Sequence, residues 1–185
     1  MKRLLILAVL LGSPFTFAKS EVRNVKFINA RGNDVGAATF TQLKRGVLIK
    51  INLRNVEPGT HAVHIHNKGE CKVPDFQSAG EHYSVSKQKH GFDVVDGPHA
   101  GDLPNIVVGS NGSVDVEIVT TGLKLKSLLK RKLGASLIVH SKVDDYKSQP
   151  AGDSGDRVAC AVIKRNELVQ TISSINKQVP ETTRY

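Results

Sequence analysis

Tryptophan is absent from these 185 residues and aromatic side chains make up only 5% of them, which excludes a core built on large rings. Valine, isoleucine and leucine must fill the interior instead, and they occur in short runs, which favours strands. Long apolar stretches are missing too: the run over residues 4–11 is too short to cross a bilayer as a helix. Acidic residues are missing before Glu21, whereas Lys2 and Arg3 open the chain and Thr16-Phe17-Ala18 places small residues where a signal peptidase reads. Residues 1–18 are therefore expected to be an export signal cut after Ala18. Of 26 basic and 17 acidic residues the signal takes Lys2 and Arg3, so about 167 residues remain with a net charge of about +7, enough for one domain with a real core.

Cysteine is scarce. Cys71 and Cys160 are the only two, an even number in a chain with an export signal. A bond between them would close a loop of about 90 residues, worth roughly 4 to 5 kcal/mol by chain entropy. Two buried free thiols are the alternative.

Histidine is what the chain has. All seven lie between His61 and His140: His61, His64, His66, His82, His90, His99 and His140. An imidazole binds a metal through one ring nitrogen while the other takes a supporting hydrogen bond, so such a cluster with carboxylates nearby points to metal. Segments 22–29, 37–43 and 46–55 alternate in part and are separated by turn signals; 61–66 continues the pattern with His64 and His66 on one face. From 67 to 104 periodicity disappears, and a loop of that length inside a compact domain needs something such as a metal to tie it down. Strands are expected again at 106–108, 113–119, 135–140 and 158–163, with a polar loop over 141–156. About eight short strands and two long loops predict an all-β sandwich or barrel.

Ligand types sort the histidines further. His82, His90, His99 and Asp102 offer three nitrogens and a carboxylate within one loop, a set suited to zinc. His64, His66 and His140 come from two strands, and an all-imidazole site suits copper.

The segments His64-Ile65-His66, Ser78-Ala79-Gly80-Glu81-His82, Lys89-His90-Gly91, His99-Ala100-Gly101-Asp102-Leu103-Pro104-Asn105, Val139-His140-Ser141-Lys142 and Gly155-Asp156-Arg157-Val158-Ala159-Cys160 resemble, in order and spacing, the copper/zinc superoxide dismutases. The resemblance covers roughly residues 22–163. It implies an eight-stranded Greek-key β-barrel with a metal-binding loop and an electrostatic loop, and one copper and one zinc per subunit. It implies copper on His64, His66, His82 and His140, and zinc on His82, His90, His99 and Asp102, with His82 bridging as an imidazolate. Cys71 and Cys160 match the family's disulfide, Asp144 the carboxylate that links a copper histidine to a zinc histidine, and His61 a position that supports the copper strand without being a ligand. His82 and Arg157 would be the catalytic groups, Arg157 guiding and orienting a small anion within a positively charged funnel.

There are departures. Tyr83-Ser84-Val85 replaces the usual aromatic and Asn-Pro after the bridging histidine, Ala151 falls where threonine often stands, and Asp156 adjoins Arg157, placed either to orient the guanidinium or to dampen its field.

The resulting expectation is an exported, periplasmic superoxide dismutase over residues 19–163, with superoxide as substrate and a possible homodimer. Two rivals are a non-enzymatic copper/zinc carrier with the same fold and a polyanion-binding surface protein using Lys124, Lys126, Lys130, Arg131 and Lys132. Beyond the domain, 164–185 carries Leu168, Ile172, Ile175 and Val179 at helical spacing before Pro180, a short docked helix or a disordered tail.

Overall fold

The computed structural model describes residues 21–165. The expected export signal and all but the first two residues of the expected extension lie outside them. Among the described residues nine strands form in the order β1 Val22–Asn29, β2 Asp34–Gln42, β3 Val47–Leu53, β4 Gly59–His61, β5 Val63–His66, β6 Ile106–Val108, β7 Val114–Thr120, β8 Ala135–His140 and β9 Arg157–Ile163, with one α-helix, α1 Leu125–Lys130. Seven strands make one antiparallel sheet in the order β5-β8-β9-β1-β2-β3-β7, and β4 pairs with β6. The first three strands are a meander. β5 then crosses to the far edge, β7 returns beside β3, and β8 crosses back beside β5, giving Greek-key connections around one interior.

Alternation explains how that interior fills. In β3, Val47, Ile49, Ile51 and Leu53 are buried while Lys50 and Asn52 are exposed. Phe27, Phe40, Ile65, Leu137 and Ala161 meet them in one apolar cluster drawn from both ends of the sheet, so the sheet is rolled around its core.

The segment expected as one strand over 61–66 is two. His61 pairs with Ile106 in β4 and Val63 pairs with Val139 in β5, with Ala62 as the joint. The basic stretch expected as a bare connection contains α1, whose Leu125, Leu128 and Leu129 pack into the core at helical spacing. No helix among the described residues is long and apolar enough to cross a membrane.

Candidate metal centre

Both β5 and β8 are buried along their whole length, and their two faces do different things. Val63 and Ile65, with Ala135, Leu137 and Val139, face the apolar core. His64, His66 and His140 occupy the alternate positions and face the long loops. The outer edge of β5 is not left open: Ile65 N–H donates to Gly101 O at 2.8 Å and Tyr83 N–H to Ile65 O at 2.7 Å, which lays the segments around His82 and Asp102 against the strand.

A bulge brings Arg157 to the same place. β8 and β9 pair Ala159 with Val139, but His140 pairs with Arg157, skipping Val158. Regular alternation would turn Arg157 towards the core. The extra residue sends Val158 there instead and puts Arg157 on the His140 side, a common use of a bulge. Arg157 then donates from one Nη to Phe76 O and from the other to Gly80 O, both at 2.8 Å. The loop supplying those carbonyls is fastened to β9 by the Cys71–Cys160 disulfide, with Cα atoms 5.8 Å apart. The free-thiol alternative is thereby excluded.

Four imidazoles form one buried group: His64, His66, His82 and His140 present ligand atoms within 4.8 Å of one another. In each, one nitrogen is engaged. His64 Nε2 donates to Asp144 Oδ2 at 2.7 Å, His66 Nδ1 to Gly80 O at 2.9 Å, His140 Nδ1 lies 3.3 Å from Gly155 O, and His82 Nδ1 lies 2.9 Å from Asp102 Oδ1. The other nitrogens, His64 Nδ1 and Nε2 of His66, His82 and His140, are buried without a partner. Four orphaned lone pairs in one pocket are too costly to leave uncompensated, and a metal ion compensates them.

A second group shares His82. Asp102 Oδ1 lies 2.9 Å from His82 Nδ1, 3.2 Å from His90 Nδ1 and 3.3 Å from His99 Nδ1. Four ligands around zinc at about 2.0 Å would be about 3.3 Å apart, close to these separations. Although His90 Nδ1 is 3.2 Å from the carboxylate, it makes no hydrogen bond. Both atoms therefore point at a common centre rather than at each other. The second carboxylate oxygen is held by N–H groups of Gly91 and His99, leaving Oδ1 for that centre. The set lying mutually within 4.8 Å here is His64, His82, His90 and Asp102, with His99 outside it and within hydrogen-bonding distance only of Asp102; the one open nitrogen of His64, however, is directed to the four-imidazole group.

Asp144 ties the groups together. It accepts from His64 on one oxygen and from His90, at 2.9 Å, on the other. Two residues that sequence reasoning did not single out fix it, and a third fixes His90. Asn105 brackets its backbone, accepting from its N–H and donating to its carbonyl. Gly152, at φ +71, packs so closely that a Cβ there would sit 1.9 Å from Asp144 Oδ1. Gln149 similarly clamps the backbone of His90 from both sides. His61 stands outside both groups, its ring nitrogens 2.7 Å from the carbonyls of His140 and Glu57.

Burial dominates the protonation of the first group. It holds the imidazoles of His64 and His66 below the usual range, His66 far below, and pushes His82 down to about 4 and His140 down to about 2. These rings are neutral at neutral pH, the form a metal needs. Burial also opposes a charge on His90, but Asp102 and Asp144 outweigh it and raise His90 to about 9. Despite their burial, Asp102 and Asp144 lie well below the usual carboxylate range because histidines bond to them.

The group opens through His66, His82 and His140 onto a cavity of about 840 Å³, whose charged lining is Arg157, Glu81, Asp153 and Asp156. No lysine lines it. Within this lining the expected positive charge is carried by Arg157 alone, beside three carboxylates.

A rolled Greek-key sheet carrying two adjoining ligand groups defines a β-barrel metalloprotein. Residues 35–163 match the family model described as copper/zinc superoxide dismutase (SODC). "Superoxide dismutase [Cu-Zn] 1" of Aquifex aeolicus is 41% identical over 155 residues, covering 81% of this chain and 92% of the relative. The solved structure of Cu/Zn superoxide dismutase from Brucella abortus superposes with a TM-score of 0.67 at 30% identity, covering 77% of this chain and 99% of that one. A superoxide dismutase-like protein from Bacillus subtilis gives a TM-score of 0.72 at 36% identity, covering 76% and 97%. The chain belongs to the copper/zinc superoxide dismutase family.

Proposed function

We propose that this chain converts two superoxide anions and two protons into dioxygen and hydrogen peroxide, with copper held by His64, His66, His82 and His140 and zinc by His82, His90, His99 and Asp102. The observation that carries the reading is the set of four partnerless imidazole nitrogens, three of whose rings, those of His66, His82 and His140, line one cavity with Arg157. Copper, when bound, would supply the one-electron acceptor and donor that the two half-reactions need, and zinc, when bound, would organise the loop and make His82 easier to deprotonate. Arg157, pinned by two carbonyls, keeps its guanidinium directed at the cavity, where it orients the small anion. His82 is placed to hold a proton at Nε2 and give it up as peroxide forms. Asp144 keeps His64 and His90 in fixed tautomers.

Metal content and superoxide turnover, measured together on copper- and zinc-loaded protein, test this. The expected result is two metals per chain with turnover. His140→Ala is expected to keep zinc and abolish turnover, whereas two metals without turnover in the unmodified chain would establish the carrier instead.

The proposal extends to export by residues 1–18 into a periplasm, tested by the intact mass of protein recovered from cells, and to a homodimer, tested by light scattering on the same material. Polyanion contact is favoured by one observation. Gln42 accepts from Leu125 N–H and donates to Gly46 O, pinning the turn with Lys44 and Arg45 beside Lys124 and Lys126 around one cavity. Retention on a sulfated-polysaccharide column that neutralising these four residues leaves unchanged would reject that contact.

A further inference from the structure

We propose that Glu81, Asp153 and Asp156 form a cation-collecting rim that speeds copper into the four-histidine group and slows superoxide on the same path. The inference rests on the copper reading above and goes beyond it. The sequence carries a formal net charge of +9, yet the opening to the buried histidines is lined by three carboxylates against one guanidinium. All three acids are exposed, and among the described residues none is in an ion pair or accepts a side-chain hydrogen bond. The three carboxylates are therefore not spent on holding the loop, and no cation among the described residues pairs with them directly, although the stems of Lys68 and Lys142 pack over Gly80 and Gly155 beside Glu81 and Asp156. Asp156 in particular does not orient Arg157: its backbone N–H donates to Ser141 Oγ, and the guanidinium is already held by Phe76 and Gly80.

At the inner end of the same cavity lie the partnerless Nε2 atoms of His66, His82 and His140, with the three side chains nine-tenths or more buried. A cation drawn to the rim thus passes inward from carboxylates to neutral imidazoles whose open nitrogens take it up, past the single positive charge of Arg157. For a univalent anion the same rim is repulsive. A concave site with low-dielectric walls focuses such a field, and like-signed charges there change encounter rates by about 10-fold or more at low salt. Screening removes most of the effect within about 3 Å at 1 M salt. The rim and the substrate guide therefore oppose one another: Arg157 attracts the anion close in, and the carboxylates discourage it at the entrance.

The test is the triple variant Glu81→Gln, Asp153→Asn, Asp156→Asn, prepared in its zinc-loaded, copper-free form. Stopped-flow uptake of copper(II), followed by visible absorption at about 10 mM ionic strength, is expected to slow about 3- to 10-fold. The difference should close at high salt, with final copper content and melting temperature unchanged. After loading, the superoxide rate constant by pulse radiolysis is expected to rise. Opposite movements separate charge from damage, since a disturbed loop would slow both. Copper uptake as fast as in the unmodified chain, or two rates moving in the same direction, overturns the rim; an unchanged superoxide rate overturns its second half. Slowed uptake in a protein without any superoxide turnover would keep the rim and reject the dismutase reading.

Discussion

Asp144 is the residue on which both ligand groups lean, and its own position depends on a neighbour without a side chain. The carboxylate must reach His64 and His90 at once, and Gly152 occupies the space beside it at a φ of +71. A methyl group at Gly152 would overlap Asp144 Oδ1 and lie 2.6 Å from His90 Nε2, besides adopting a conformation that L residues avoid. Gly152→Ala is therefore expected to weaken both metals together, by about 10- to 100-fold in affinity, the range usual for losing a partner of a ligating histidine. Competition with a chromophoric chelator reads this directly, and loss of one metal alone would show that Asp144 had escaped. The ligand types themselves were legible, because histidine and aspartate announce their chemistry in the sequence. Gly152, Asn105 and Gln149 were not, because each acts on atoms that only the folded chain brings near.

At the scale of elements, legibility followed alternation and stopped where alternation broke. Strands β1, β2, β3 and β8 were readable from hydrophobic pattern and turn residues. The joint at Ala62 was not, since His61 and His64 differ only in which distant strand they pair with. The bulge at Val158 was equally invisible. Nothing in Asp156-Arg157-Val158-Ala159 marks an extra residue, yet it decides whether Arg157 faces the cavity or the core. The helix α1 could have been found from Leu125, Leu128 and Leu129, a spacing obscured by Lys124, Lys126 and Lys130 around them. These elements explain one role of the disulfide. By fixing the loop that carries the Phe76 and Gly80 carbonyls to β9, it holds the acceptors of Arg157 on the strand that bears Arg157. Gly80 O also accepts from His66, so the same covalent tie bears on a metal-facing imidazole.

For the whole molecule, the metals stand between a buried cluster of bases and the chain's own protonation. Without them the folded state resists protons at His82, at about 4, and at His140, at about 2, with His64 and His66 lowered as well. The unfolded chain takes up those protons near pH 6.5, so it binds more protons than the folded chain as pH falls below that value, and stability declines with acid. Each strongly lowered histidine is worth about 1 kcal/mol between pH 6.5 and 5.5 and about 1.4 kcal/mol for each further unit until its folded value is reached. His90 acts in the other direction. Raised to about 9, it binds a proton in the folded chain that the unfolded chain has released, so its contribution is complete below pH 6.5 and is lost as pH rises towards 9. Asp102 and Asp144, both lowered, contribute fully across this window and fail only below the ordinary carboxylate range. The metal-free chain should thus be most stable near pH 6.5 to 7 and weaken on both sides, more steeply towards acid because more histidines are lowered than raised. Denaturant titrations of chelator-stripped protein at pH 5.5, 6.5, 7.5 and 8.5 measure this, and a flat profile would contradict the burial of neutral imidazoles. Metal-loaded protein should lack the alkaline decline, because a metal at His90 Nδ1 replaces the charge that its proton supplied between two carboxylates.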